Sequence, residues 1–479
     1  MHTQLAVLGG GPGGYTAAFL AADLGAEVTL VEADPRLGGT CLLRGCIPSK
    51  ALLHVAFLIG EIEQLAGDWG VSYQKSGIDL DKLRQRKNQI IATLSAGLKQ
   101  LARRRNVRVV HARGVLQDAA TLRLEGDDPS IPDDRLLTFD SLILATGSLP
   151  ARPPILGVDS PRVFDSTGAL ELPDLPGSLL VVGGGYIGLE LGTVYARLGT
   201  AVSVVELTEG LLPGVDRDLV RPLEKRLHRL FDGRIYLNTR LGSIARDGDK
   251  FVATFEGPGK FGVERFDRVL VATGRRPATS GLGLEKAGVR VDERGFVRHD
   301  GSMRTDNPRI WVIGDAAGEP MLAHKAVHEA RVAVESILGE PAAFDKVAIP
   351  AVVFTDPEIA WTGLTEEAAK REQVPYEVFT YPWAASGRAQ AIGRTEGLTK
   401  WLVDPASQRL LGCGIVGPGA GELISEATLA IEMGCEVRDV ADTIHPHPTL
   451  SETLMNAAEL FFGTATEIYK PRRVAQESS

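Results

Sequence analysis

The chain opens with "QLAVLGGGPGGYTAAFLAADLGAEVTLVEAD", an order of parts that recurs from residue 178 as "SLLVVGGGYIGLELGTVYARLGTAVSVVELTEG". Each copy runs from a short apolar stretch through spaced glycines into an Ala/Leu-rich segment, then a second apolar stretch ending in an acid. The apolar stretches read as strands of a parallel sheet buried on both faces, and the segment between them as the crossover helix. Gly9, Gly11 and Gly14, and again Gly183, Gly185 and Gly188, fit G-x-G-x-x-G. In that pattern the glycines make a tight turn, let a pyrophosphate approach the backbone, and allow close helix–sheet packing. Glu32 and Glu206 each fall 23 residues beyond the first glycine, where a carboxylate meets ribose hydroxyls. Because a carboxylate repels a 2′-phosphate, Glu206 favours NAD over NADP. Two such sites suggest that electrons pass between two bound cofactors. A duplicated module with one empty site is the weaker alternative.

Two more strands run into glycine turns, "SLILATGSLP" (141–150) and "RVLVATGRRP" (268–277), each where its module would return beside its ligand. "RIWVIGDAAG" ends a further strand at Asp315, which taken alone reads equally well as a turn or helix-cap aspartate.

"GGTCLLRGCIPSK" (38–50) sets Cys41 and Cys46 five positions apart. In a regular helix that spacing separates Cα atoms by roughly 8–9 Å, whereas a disulfide needs roughly 4.4–6.8 Å. Gly45 and Pro48 permit an irregular turn, so spacing alone leaves a redox pair or two ordinary thiols open. A metal site lacks ligands, since no His or acid lies nearby. Cys413 and Cys435 sit in apolar stretches and read as core thiols.

At 479 residues the chain is too long for one core, and about three domains are expected. A net charge of −9 argues against nucleic acid or an anionic membrane as partner. No apolar run is read as reaching the ~18–20 residues of a membrane span, and "MHTQLAVLGGGPGG" has no secretory pattern. Four cysteines are too few for a disulfide scaffold, so the expected location is the cytoplasm.

Together these segments resemble the pyridine nucleotide–disulfide oxidoreductases, whose redox-active disulfide segment is similar to residues 38–50. "IHPHPTLSE" (444–452) resembles the C-terminal signature of the members that oxidise dihydrolipoamide with NAD. "EPMLAHKA" (319–326), "FTDPEIAWTG" (354–363), "YPWAASGRA" (381–389) and "IVGPGAGELI" (415–424) extend the likeness over nearly the whole chain. The resemblance implies an α/β protein with two Rossmann-like dinucleotide-binding domains and a C-terminal α+β dimerisation domain. The FAD domain would be discontinuous (1–150 and 277–347), the NAD domain 151–276, and the dimerisation domain 348–479. FAD would lie on Gly9, Gly11, Gly14, Glu32, Thr40, Lys50, Gly114, Thr146, Gly147, Ser148, Asp315 and the Ala323 backbone. NAD would lie on Gly183, Gly185, Gly188, Glu206 and Gly274, with Glu190 pairing with Lys50 near the reacting edge of the flavin. A Cys41–Cys46 redox disulfide would take electrons from dihydrolipoamide carried on the lipoyl domain of a 2-oxoacid dehydrogenase E2 or on the glycine cleavage H-protein.

Leu43 and Arg44 depart from the family's polar Asn and small apolar residue between the cysteines. Arg44 would lower a thiolate pKa if turned inward, and is read as facing solvent. His328, near the presumed FAD region, is read as a surface or packing residue.

Disulfide exchange needs a thiolate, and a free thiol of pKa about 8.5 is mostly protonated at neutral pH. Histidine is the base suited to that pH. His447 is the candidate and Glu452 its orienting partner; His445 is assigned to packing or solvent. Thr449-x-x-Glu452 is also a capping box, and one carboxylate is not expected to serve both roles fully. Roughly 400 residues separate His447 from the cysteines. By resemblance they meet across a homodimer interface. The competing readings are a glutathione- or mercuric-reductase-like member of the family and a non-catalytic flavoprotein subunit.

Overall fold

The computed structural model describes residues 1–72, 77–153 and 160–469. It divides into two compact units. The first comprises Met1–His54, Gln74–Asp174 and Val271–Asp345; the second comprises Val55–Tyr73, Leu175–Leu270 and Lys346–Ser479. The second unit takes in both the second glycine module and the C-terminal region.

In the first unit the opening strand His2–Leu8 lies at the centre of its sheet, between Val28–Glu32 and Leu136–Leu144. Both pairings are parallel, with Leu5 opposite Val28 and Ser141. Arg108–His111 extends the sheet beyond Val28–Glu32. Ile310–Val312 adds in parallel to the C-terminal half of Leu136–Leu144, while Thr121–Glu125 pairs antiparallel with its N-terminal half. The ends of the first strand, of the "ATGS" strand and of the strand before Asp315 therefore share one edge, the usual ligand crevice of such sheets. The core beneath is aliphatic: Ala6, Val7, Leu30, Val31, Leu142, Ile143 and Val312 are all fully buried.

The second unit repeats the design with Ser178–Val182, Ala201–Val205 and Ile235–Tyr236 in parallel order. An antiparallel sheet of three strands covers Arg240–Phe266. The C-terminal region forms a separate five-stranded antiparallel sheet in the order Ala351–Val353, Ile359–Gly363, Leu410–Val416, Leu398–Val403 and Glu377–Pro382. Helices Ala420–Glu432 and Glu452–Phe462 pack on it through Ile424, Ala427, Leu454 and Ala457. That is the expected α+β arrangement.

The Leu/Ala/Arg/Lys-rich sequence between Ala51 and Arg105, which reads as helical apart from a turn around "GDWGVSYQKSG", forms most of the long helices Cys46–Asp68 and Leu80–Arg104. "DDPSIPDD" (127–134), which its prolines and acids mark as a loop, is one, and mostly exposed. Two further sequence readings, a proline-rich crossing at "LPARPPILG" (149–157) and a flexible tail at "PRRVAQESS" (471–479), lie partly and wholly outside the described residues.

One expectation needs correction. By length and composition Gly39–Asp68 is apolar enough to cross a membrane, which the sequence reading missed because Arg44 and Lys50 interrupt it. It is two helices broken at Gly45, and Leu42, Leu43, Leu52 and Leu53 are buried in protein.

Candidate active site

The first glycine turn leaves no room for side chains. Gly9 has φ +110°, and a Cβ there would lie 2.3 Å from the Ala145 carbonyl oxygen. At Gly14 it would lie 1.7 Å from the Gly9 oxygen. Helix Pro12–Asp23 starts from Gly11 with no side-chain cap, so its first N–H groups face the turn unclaimed. Glu32 Oε2 accepts the Gly10 N–H at 2.6 Å and Oε1 the Asp34 N–H at 2.8 Å. The second module repeats this: Glu206 Oε2 accepts the Gly184 N–H at 2.7 Å, and Oε1 accepts the Thr208 N–H and hydroxyl, each at 2.8 Å. Helix Tyr186–Arg197 likewise begins uncapped, from Gly185. Each acid is held at the lip of its own glycine turn.

The cysteine segment sits on the first of these turns. Gly38 donates to the Gly10 carbonyl at 2.9 Å, and a Cβ on Gly39 (φ +57°) would lie 2.5 Å from Gly11 Cα. Thr40 and Cys41 are thereby brought to the glycine turn. Helix Gly39–Arg44 ends at Gly45, where a Cβ would lie 2.8 Å from the Thr40 oxygen, and a new helix starts at Cys46. This break answers the spacing problem: the cysteines lie on two helices rather than one. They are not disulfide-bonded to each other here, and Cys41 is half-buried while Cys46 is exposed. The Cys41 thiol is hydrogen-bonded to Cys46, and that bond, then burial, pushes its pKa far up while the Lys50 charge pulls it down.

Arg44 is partly exposed to solvent, as read, and its Nη2 lies 2.6 Å from Asp34 Oδ2. Tyr15, which sequence reasoning did not single out, has its pKa raised by burial first and then by the neighbouring Cys41. Its position just after Gly14 was the available signal.

The edge is completed by the "ATGS" turn and Asp315. Asp315 accepts from the Ser148 hydroxyl, and Arg275 Nε donates to the same hydroxyl oxygen at 2.7 Å while Nη2 reaches the Ser148 carbonyl at 2.7 Å. Arg275 was also missed, although it follows Gly274 in "GRRP". Gly147 (φ +71°) accepts the Ala278 N–H at 2.9 Å, and Gly274 (φ +124°) accepts that of Ala151 at 2.9 Å. Gly114 packs against Leu8 at the end of the first strand. Thr146 Oγ1 is buried without a hydrogen-bond partner. Ala323 begins helix Ala323–Ile337, again uncapped. Bare glycines, an uncapped helix start, a poised acid and an orphan hydroxyl suit the FAD diphosphate and ribose. The second module suits NAD by the same tests.

Lys50 belongs to the first unit. Glu190, in the second, is buried and accepts the Phe354 N–H at 3.0 Å. His328 is exposed.

In the second unit His447 Nδ1 lies 2.9 Å from Glu452 Oε1, while Oε2 accepts the Thr449 N–H at 2.8 Å. The expectation that these roles compete is overturned, because each carboxylate oxygen serves one. With Nδ1–H donating to the carboxylate, Nε2 is left as the basic nitrogen, and the ring is 79% exposed. His445 is inward: its side chain is 4% exposed, with Nε2 2.8 Å from Glu426 Oε1. Asp216, Asp218 and Glu366 form a metal-like cluster, but Lys400 Nζ lies 2.9, 2.7 and 2.7 Å from them and takes a cation's place. Cys413 is buried as expected.

Residues 3–330 match the family described as pyridine nucleotide-disulphide oxidoreductase, and residues 349–458 its dimerisation domain. The chain is 46% identical over 471 residues to a dihydrolipoyl dehydrogenase of Vibrio cholerae, covering 98% of this chain and 97% of that one. It is 45% identical to that of Haemophilus influenzae, covering 100% and 98%. Among solved structures it superposes with TM-score 0.87 on LpdA from Mycobacterium tuberculosis, 28% identical, covering 96% and 99%. With the HOCl-induced flavoprotein disulfide reductase RclA from Escherichia coli the TM-score is 0.83 at 30% identity, covering 95% and 99%.

Proposed function

The chain belongs to the pyridine nucleotide–disulphide oxidoreductases, enzymes that use FAD and NAD, and on that premise we propose how its residues divide the work. It oxidises dihydrolipoamide to lipoamide through Cys41 and Cys46 and passes the electrons to NAD⁺. The observation that carries this reading is the pairing of a split-helix thiol pair on the first glycine turn with an exposed His447 braced by Glu452. Bound FAD supplies the two-electron carrier between the thiols and NAD⁺.

The chain's own steps balance as follows. His447 Nε2 takes a proton from one substrate thiol, and Glu452 stabilises the imidazolium. The thiolate attacks Cys41 Sγ of the oxidised pair, forming a mixed disulfide and releasing Cys46 as thiolate. The second substrate thiol attacks its partner sulfur, forming lipoamide, and its proton passes to the departing Cys41 sulfur, which is freed as a thiol. The substrate loses two electrons and the cysteine pair gains them. Cys41 and Cys46 lie in the first unit and His447 in the second, and we read the complete site as assembled from two subunits, the dimerisation domain supporting a homodimer. The domain limits 1–150 with 277–347, 151–276 and 348–479 are retained as our reading. So are the lipoyl domain of an E2 or the glycine cleavage H-protein as substrate carrier, and the cytoplasm as location.

Initial rates decide the reading. NAD⁺ with dihydrolipoamide is expected to turn over well above NADPH with glutathione disulfide, since Glu206 opposes a 2′-phosphate. The reverse preference would replace this reading with a glutathione-reductase-like one.

A further inference from the structure

Helix Ala323–Ile337 carries an ion pair that none of the steps above uses. Lys325 and Glu329, one turn apart, are 6% and 2% exposed, with Nζ 2.5 Å from Oε1. Each also reaches the short turn that bears Asp315. Glu329 Oε2 accepts the Gly314 N–H at 2.7 Å, and Lys325 Nζ donates to the Gly318 carbonyl at 3.3 Å. The pair thus grips the first N–H and the last C=O of the segment 314–318. Gly314 has φ +72°, and a Cβ there would come within 3.2 Å of Ala326 Cβ, so the turn lies hard against this helix. On its other side Asp315 holds Ser148, and Ser148 holds Arg275. Ile313 is tied to the Leu144 carbonyl at 2.9 Å, just before the "ATGS" turn.

A buried ion pair contributes little stability over an apolar replacement. What it can do is fix geometry. We propose that the Lys325–Glu329 pair is a positioning device that presets the Asp315 turn for FAD before the cofactor arrives. Burial pushes the Glu329 pKa up, and the Lys325 charge, then its hydrogen bond, pulls it back. The inference rests on the reading that the first glycine module, with Asp315, is the FAD site.

Two double variants isolate the grip on Gly314 at equal charge. K325M/E329Q keeps an acceptor for the Gly314 N–H, and K325M/E329L of similar size does not. FAD is titrated into each apoprotein by flavin fluorescence, with apoprotein melting followed alongside. K325M/E329Q, which loses the ion pair and the hold on Gly318 but keeps the Gly314 bond, is expected to bind FAD about threefold or more weakly than wild type, and K325M/E329L about tenfold or more weakly again, the scale of one lost buried hydrogen bond. Equal FAD affinity for the two doubles, whatever their melting temperatures, would overturn the inference. Wild-type apoprotein that takes up no FAD would overturn the site reading itself. Hydrogen exchange on wild-type apoprotein needs no variant to fold: amides of 314–318 are expected to be protected before FAD is added. Exchange at free-amide rates until FAD binds would equally sink the proposal.

Discussion

Glu452 divides its two oxygens between a side chain and the backbone, and that division sets what each substitution at the dyad should do. His447→Gln removes the basic nitrogen, and turnover with dihydrolipoamide is expected to fall about 10²–10⁴-fold, the usual weight of general base catalysis. The flavin absorption spectrum should stay that of wild type. Glu452→Gln keeps an acceptor for either Thr449 or His447 but withdraws the charge behind the imidazolium. A smaller loss of turnover is expected, with FAD still bound. Unchanged turnover would reduce Glu452 to a helix-start residue. Cys46→Ser is expected to abolish dihydrolipoamide turnover with FAD still bound; appreciable residual turnover would exclude the exchange route.

At the scale of elements, the break at Gly45 is what two adjoining helices need in order to bring their cysteines together. Gly45→Ala puts a methyl 2.8 Å from the Thr40 oxygen. Overpacking of this kind costs about 1–3 kcal/mol, and melting should drop by roughly 2–4 °C per kcal/mol. An unchanged melting temperature together with unchanged thiol–flavin absorbance would show the break to be incidental. The loop 127–134 offers a pH test. Asp128 is held below the ordinary carboxylate range by the Ser130 hydroxyl, then by its N–H. The folded state therefore binds that proton less tightly than the unfolded chain. Its contribution is present above the unfolded value of about 3.9 and is lost as pH falls through the lower folded value. Asp128→Asn should melt below wild type at neutral pH and converge with it in acid. A constant gap across pH would place the effect elsewhere.

For the molecule as a whole, the C-terminal region leaves large apolar groups in solvent: Leu429, Met433 and Ile444 are 64%, 71% and 95% exposed. All three lie within the match to the dimerisation domain. Burying such a side chain is worth about 1.5–3 kcal/mol. The double change Met433→Glu with Ile444→Glu is expected to yield monomers in sedimentation and to lose dihydrolipoamide turnover, with FAD retained. A fully active monomer would show that one chain completes the dithiol site.

Much of this was legible before any fold was known. The two glycine modules, their acids and the return strands follow local rules of periodicity and turn geometry, so Gly9, Gly14, Glu32 and Glu206 stand where their spacing put them. Arg275, Tyr15 and the Asp34 partner of Arg44 were not legible, because their roles depend on neighbours distant in sequence or around a turn. The residues by themselves determined the two glycine modules and the candidate groups, a thiol pair and a histidine–carboxylate pair. Only the tertiary structure decided that the cysteines share the first glycine turn, that one carboxylate serves two partners, and that Lys325 and Glu329 grip the Asp315 turn. Such contacts are fixed by close packing of segments that no local pattern relates, and side-chain spacing along a chain carries no record of them.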